Sequence, residues 1–149
     1  MAVAVAVVEL LPREYGYVVL VLVLYAFLNI WMSLQVVRAR KKYNVQYPAL
    51  YALESENKDA KLFNCVQRGH QNSLEMMPSF FALLLLGGLQ HPLIAAGLGV
   101  VYTVARYFYF TGYATGIPEK RLTIGRFNFL AVLGLIICTG SLGINLLKK

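Results

Sequence analysis

Four long apolar segments set the main constraint on how this chain of 149 residues can fold. They cover about residues 15–37, 61–89, 93–113 and 127–147, and a helix needs about 20 residues to cross the hydrocarbon core of a bilayer. Hydrophobic residues make up 58% of the chain and charged residues 14%, against roughly 45–50% and about 25% in soluble domains. The sequence therefore predicts an all-α membrane protein in which residues 1–149 form one integral domain with four transmembrane helices.

The net charge of +7 is unevenly distributed over the connections between these segments. Most basic residues fall in the first and third connections, including Lys41, Lys42 and Lys120, and the second connection carries no charge. By the positive-inside rule, both basic connections face the cytosol and both termini lie on the other side of the membrane. The charge thus indicates topology and not nucleic-acid binding, and we interpret Lys41 and Lys42 as an orientation signal beside anionic lipid.

A polar stripe runs along the first half of the second segment. Its members follow one another at spacings of four, four, three and four: Asn64, Arg68, Asn72, Glu75 and Ser79. On an α-helix these positions fall within roughly 80° of one another. Polar side chains in a membrane helix are costly unless they face a bundle interior or a water-filled cavity. The stripe therefore predicts a binding site.

The end of the third segment carries a second polar face. Tyr102, Arg106, Tyr109 and Tyr113 lie within about 60° of one another on a helical wheel. A guanidinium inside a span needs a carboxylate or a wet cavity. Glu75 is the only acidic residue in any of the four segments, so we expect it to pair with Arg106.

The polar residues of the cytosolic half include six arginines and one carboxylate. They are Arg38, Arg40, Asn64, Arg68, His70, Asn72, Glu75, Arg106, Tyr109, Tyr113, Arg121 and Arg126. This inventory predicts an anion site with one acceptor for an ammonium, because arginine pairs with carboxylates in a bidentate manner. Glutathione fits, as do some nucleotides and phospholipid head groups. A structural ion network among Arg68, Glu75 and Arg106 is the other interpretation, and the two cysteines lack the spacing of a metal site, so no metal is expected.

Two segments resemble one known family. The run N-C-V-Q-R-G-H-Q-N-S-L-E-M-M-P at residues 64–78 resembles R-x-x-x-N-x-x-E-x-x-P, a signature of the membrane-associated eicosanoid and glutathione metabolism family. The segment A-R-Y-F-Y-F-T-G-Y at residues 105–113, followed by Arg121, resembles the same family. Residues 41–48, 63–72 and 115–121 are most similar to its type-three microsomal glutathione transferase branch.

The resemblance implies a left-handed four-helix bundle that assembles as a homotrimer, with a glutathione site between adjacent protomers on the cytosolic half of the membrane. The positions that match glutathione-binding residues are Arg40, Arg68, Asn72, Glu75, Tyr109 and Tyr113, with Arg38, Asn64 and Arg106 in support. His70 stands where the leukotriene C synthase branch has a glutamine and is expected to bind glutathione as well. Arg121 matches the arginine that stabilises the glutathione thiolate.

The resemblance also implies an activity and a location. It indicates a glutathione transferase with glutathione-dependent peroxidase activity on lipophilic electrophiles and lipid hydroperoxides, in the membrane of the endoplasmic reticulum, with the nuclear envelope and mitochondrial outer membrane as other sites. Leukotriene C formation stays open, because Met76 and Lys41 depart from that synthase.

Two other protein classes compete with an enzyme. A non-catalytic lipid-presenting scaffold is one, because the family includes a lipoxygenase-activating protein, but that branch is expected to lack part of the set from Arg68 to Arg121. A small multidrug transporter is the other. It usually needs a carboxylate in the first span, where this chain has Asn29.

Overall fold

The computed structural model describes residues 11–148 and is built of helices. They are α1 (Tyr15–Lys42), α2 (Ala60–Gln90), α3 (Pro92–Tyr113) and α4 (Phe127–Leu147), with a short 3₁₀ helix, Pro118–Leu122, between α3 and α4. Each of the four, the last taken together with the 3₁₀ helix, is long and apolar enough to cross a membrane. The prediction of an all-α fold with four membrane-spanning helices is confirmed.

Helices α1 and α2 extend beyond the predicted spans at the end where residues 43–59 connect them. Helix α1 continues to Lys42, so the basic run Arg40, Lys41 and Lys42 forms its last turn, where positive charge interacts favourably with the helix dipole. Helix α2 begins after Asp59, whose side chain makes no capping hydrogen bond. Asn57 instead accepts from the Asp59 N–H and donates to the Tyr43 carbonyl, at 2.9 and 2.8 Å.

Helices α2 and α3 occupy the centre of the bundle, and both α1 and α4 pack against the two of them. Small residues permit these close approaches. A Cβ at Gly99 of α3 would lie 2.7 Å from Val21 Cγ1 and 3.0 Å from Leu84 Cδ1. A Cβ at Gly87 of α2 would lie 3.0 Å from the Cβ of Cys138, so Cys138 of α4 serves as a small packing residue at this contact.

An aromatic stack fills the middle of the bundle. The rings of Phe80 and Tyr102 are nearly parallel, with centroids 3.9 Å apart, and Tyr25 packs against both at 5.0 and 5.7 Å. The Tyr25 hydroxyl donates to the Ser73 carbonyl at 3.2 Å, because a buried phenol needs a partner. The stack ties α1, α2 and α3 together next to Arg106, whose Nε donates to the Tyr102 hydroxyl.

The outward faces of the helices are apolar. Leu20 and Phe27 of α1 are 64% and 67% exposed, and Leu130 and Ile137 of α4 are 61% and 65% exposed. Such surfaces suit lipid and not water. The chain is a membrane protein. Its up-and-down order places residues 43–59 and 114–126, together with the basic last turn of α1, at the same end, which we call the basic end.

Candidate functional site

An ion pair lies on the outward side of α2. Arg68 Nη1 and Glu75 Oε1 are 2.7 Å apart, and their side chains are 40% and 46% exposed. It is the one salt bridge among residues 11–148. Because charged groups on a membrane helix are costly against lipid, this pair requires a polar ligand or a second protein surface over it.

Asn72 links this pair to the interior. Its Nδ2 donates to Glu75 Oε2 at 3.5 Å, and its Oδ1 accepts from Arg106 Nη1 at 2.7 Å. Arg106 is 1% exposed, and its Nε donates to the Tyr102 hydroxyl at 3.1 Å. The amide therefore joins an exposed acid to a buried base.

The expected pairing of Glu75 with Arg106 is wrong. Arg68 lies two turns away on the same helix as Glu75 and reaches the carboxylate along the outer surface. Arg106 comes from α3 and is buried between the helices, where the amide of Asn72 stands between it and the carboxylate. Glu75 and Arg106 are therefore connected through the neutral amide of Asn72 and form no direct ion pair.

Aromatic rings extend the group toward the basic end. The Arg106 guanidinium carbon lies 5.0 Å from the Tyr109 ring centroid, and the Tyr109 and Tyr113 rings are 6.0 Å apart. The Arg121 guanidinium carbon lies 4.9 Å from the Tyr113 ring centroid. Both arginine contacts are within the range of cation–π attraction. We call the connected side chains the polar cluster: Arg68, Asn72, Glu75, Arg106, Tyr109, Tyr113 and Arg121.

Two glycines bring Arg121 into this cluster. The 3₁₀ helix packs against the end of α3, where a Cβ at Gly112 would lie 2.5 Å from the Lys120 carbonyl oxygen. A Cβ at Gly125 would lie 2.8 Å from the Cβ of Tyr109 and would also collide with the Arg121 backbone. Sequence analysis missed both residues, although a glycine beside a helix end is a common sign of close backbone approach.

The polar cluster carries a net positive charge. Its three arginines and one glutamate give +3 − 1 = +2. Arginine side chains supply several N–H donors in a planar arrangement that matches carboxylates. The site is therefore suited to a small molecule with at least two negative groups and one ammonium that Glu75 can accept.

Two predicted site residues serve the α1–α2 connection in this single chain. Asn64 accepts from the Ala52 N–H and donates to the Ala52 carbonyl, at 2.8 and 2.9 Å. Arg40 is buried, donates to the Ala49 carbonyl at 2.7 Å and lies over the rings of Tyr47 and Phe63. Both hold the connection against the bundle and make no hydrogen bond to the polar cluster.

His70 and Arg38 also lie apart from the polar cluster. His70 is half-buried, and its Nε2 is buried without a hydrogen-bond partner in the part of the chain that the structure describes. Arg38 is exposed on α1 beside Gln35. Seven of the eleven predicted site residues therefore lie together in the polar cluster of one protomer. The other four are Arg38, Arg40, Asn64 and His70.

Comparisons with known proteins agree with this architecture. The model of the MAPEG family matches residues 18–141, a range that contains the whole polar cluster. Microsomal glutathione S-transferase 2 of Homo sapiens is 36% identical over 115 residues, which cover 76% of this chain and 72% of that protein. The protein of the same name in Mus musculus is 36% identical over 112 residues, covering 71% of each chain.

A leukotriene synthase is also similar. Leukotriene C4 synthase of Bos taurus is 33% identical over 108 residues, covering 72% of this chain and 67% of that protein. The resemblance inferred from residues 64–78 and 105–113 is thereby confirmed. On the family match and these relatives, the chain belongs to the MAPEG family.

Proposed function

We propose that this protein is a membrane glutathione transferase that also reduces lipid hydroperoxides with glutathione. The observation that carries the proposal is the exposed Arg68–Glu75 pair on an apolar bundle surface, connected through Asn72, Arg106 and the tyrosines to Arg121. The names of the relatives, glutathione S-transferase and leukotriene C4 synthase, support a glutathione-conjugating enzyme.

Glutathione has the chemical groups that the polar cluster can bind. Its two carboxylates match the arginine donors, and its α-ammonium matches Glu75, which would exchange part of its contact with Arg68 for the ligand. The hydroxyls of Tyr109 and Tyr113 are available to the peptide groups of the ligand. The thiol would then point toward Arg121 at the basic end. No metal takes part in this proposal.

One arginine is sufficient to activate the thiol. Lowering a thiol pKa from about 8.5 to about 6.5 requires roughly 2.7 kcal/mol of preferential thiolate stabilisation. A guanidinium at about 4 Å provides about 1 kcal/mol in water and about 4 kcal/mol at an effective dielectric near 20. Arg121, half-buried against Tyr113, has the partly dry surroundings that this requires.

The lipophilic substrate would enter from the bilayer. In conjugation, the thiolate forms a C–S bond and the electrophilic carbon loses its leaving group or opens its epoxide C–O bond; leukotriene C formation is a reaction of this type. In peroxide reduction, the thiolate attacks the terminal oxygen of the hydroperoxide, the O–O bond breaks, and the lipid leaves as an alcohol after protonation. A second glutathione then reduces the resulting sulfenic acid and gives glutathione disulfide and water.

We further propose that the working enzyme is a homotrimer of left-handed bundles with the site between protomers. Arg68 and Glu75 stay 40% and 46% exposed in one chain, and a neighbouring copy would shield them from lipid. His70, which does not reach the polar cluster of its own chain, is then available to the adjacent site. With its basic end in the cytosol, the protein would draw glutathione from there, as expected for the endoplasmic reticulum membrane.

The substitution Arg121→Ala tests the proposed activation. We expect the pKa of bound glutathione to return from about 6.5 to about 8.5, so that the thiolate fraction at pH 7 falls from about three quarters to about 3%. The conjugation rate should therefore drop about 25-fold at pH 7. Because alkali ionises the thiol without help, this gap should nearly close by about pH 9.5. Initial conjugation rates of the wild type and the variant with an aromatic electrophile, taken across this pH range, measure the difference.

Proton release upon mixing glutathione with the protein in weakly buffered detergent gives an independent measurement. The control is Arg126→Ala, which removes an exposed arginine that lies over Phe127, outside the polar cluster. Release from the wild type and this control, but not from Arg121→Ala, is the expected result. Equal release from all three would contradict the role of Arg121. Absence of glutathione binding to the wild type would exclude the enzyme and favour a lipid-presenting scaffold.

A further inference from the structure

A second concave surface lies between α1 and α3 at the basic end. It encloses about 400 Å³, and its lining includes Trp31, Gln35, Arg38 and Lys42 of α1 and Phe110 of α3. Val66 of α2 forms part of its floor. We call it the α1–α3 groove.

The groove opens on a different side of the bundle from the polar cluster. Val66 and Arg68 are two positions apart on α2, which places their side chains about 160° apart around the helix axis. Val66 lines the groove, whereas Arg68 pairs with Glu75 in the polar cluster. The groove is therefore a separate surface from the polar cluster of the same chain.

The rim of the groove is positively charged. Arg38 and Lys42 are one helical turn apart, so they lie on the same side of α1. Neither forms an ion pair, since Arg68–Glu75 is the one salt bridge between residues 11 and 148. With its oxygen facing the donors, the Gln35 amide accepts from Trp31 Nε1 and Arg38 Nη1, both at 3.1 Å. This leaves the amide NH₂ as an additional donor.

The wall and floor of the groove are apolar. Phe110 and Val66 are 2% and 7% exposed. Trp31 packs against Phe110 with ring centroids 5.5 Å apart and against Tyr107 at 5.3 Å. The hydrogen-bond donors and positive charges of the groove thus lie along the last two turns of α1. The apolar surface, which suits hydrocarbon, lies deeper in the bundle.

We propose that the α1–α3 groove binds one anionic glycerophospholipid. The phosphate would lie between Arg38 and Lys42, and the first acyl carbons would pack on Trp31 and Phe110. Charge complementarity selects an anionic head group, because the rim offers two cations and an amide donor without a carboxylate. The apolar wall selects a lipid over a soluble anion.

Two lysines that are adjacent in the sequence differ in their position relative to the groove. Lys42 lines the groove, whereas Lys41, its neighbour in the sequence, is exposed and does not. A general attraction of the basic end to an anionic surface would use both equally. A specific lipid site would depend on Lys42 and not on Lys41.

The intrinsic fluorescence of the protein can test this directly, because Trp31 is the only tryptophan in the chain. The full-length protein is reconstituted in phosphatidylcholine bilayers that contain a small fraction of acyl-brominated lipid, either phosphatidylserine or phosphatidylcholine. Bromine quenches indole on contact. We expect brominated phosphatidylserine to quench Trp31 more strongly than brominated phosphatidylcholine at the same mole fraction.

The matched variants Lys42→Gln and Lys41→Gln remove the same charge one residue apart. We expect Lys42→Gln to lower the preference for phosphatidylserine about fivefold, as for one lysine beside anionic lipid, and Lys41→Gln to retain it. Equal quenching by the two lipids in the wild type would overturn the proposal. An equal loss in both variants would overturn it too, because it would show a general surface effect. Circular dichroism verifies that each variant keeps its helices.

Discussion

Arg106 and Arg68 belong to the same polar cluster but are held in opposite ways. Arg106 is 1% exposed and has two partners from its own chain, Asn72 and Tyr102. The Arg68 side chain is 40% exposed and has Glu75 as its partner. The comparison indicates that the α3 side of the site is formed by folding, whereas its α2 side is completed by a ligand or a second copy.

Substitution of Arg106 is expected to have the largest effect. Arg106→Ala leaves the Asn72 Oδ1 without its donor and opens a cavity beside the buried Tyr102. Hydrogen bonds to charged groups contribute about 1.5–3 kcal/mol each, so we expect a loss of about 3 kcal/mol in the free energy of unfolding, together with loss of activity. Denaturant titration in detergent measures the stability.

Arg68→Ala is the matched substitution for this test. Exposed ion pairs contribute little to folding, so this variant should unfold like the wild type while its affinity for glutathione falls. Equal stability of the two variants would contradict the distinction between a side formed by folding and a side completed by the ligand.

Glu75→Gln sharpens the comparison on the exposed side. The variant keeps the shape of the side chain but removes the charge that we assign to the ligand ammonium. We expect KM for glutathione to rise about tenfold, the lower end for a hydrogen bond to a charged group, with little change in thermal stability. A glutathione analogue without the α-amino group should give the wild type and the variant similar KM values. If the variant also binds the analogue more weakly, the assignment of the ammonium to Glu75 is wrong.

Gly112→Ala should have the smallest effect on activity in this series. A Cβ there would lie 2.5 Å from the Lys120 carbonyl oxygen and would push the 3₁₀ helix, with Arg121, away from Tyr113. We expect kcat to fall about fivefold, equivalent to about 1 kcal/mol in the activation barrier. Gly97→Ala is the control on the same helix, because a Cβ at Gly97 meets no atom within 4 Å. An unchanged kcat in Gly112→Ala would show that this contact does not position Arg121.

The four helices and part of the site could be predicted from the sequence because both depend on local pattern. Apolar length predicts a membrane helix without knowledge of its neighbours. The spacing of Arg68, Asn72 and Glu75 likewise fixes their common face on α2. The structure keeps these three residues in contact.

Partners between elements could not be predicted in the same way. Helical spacing gives the direction of a side chain but not the group that lies in front of it. It therefore pairs Glu75 with Arg106, although Asn72 lies between them. Asn64 shares the same stripe, yet the α1–α2 connection folds over it and takes both of its hydrogen bonds. That connection has no periodic pattern from which its path could be read.

The positive charge of the basic end, from the last turn of α1 and from Lys120, Arg121 and Arg126, also affects the rate at which substrate arrives. Glutathione is an anion in water, and a positively charged surface raises the frequency of its encounters with the protein before any specific contact forms. Arg121 lies on the five-residue 3₁₀ helix at this end, next to Lys120. In the proposed reaction, this charge therefore concentrates the hydrophilic substrate at the entrance, while the bilayer concentrates the lipophilic one.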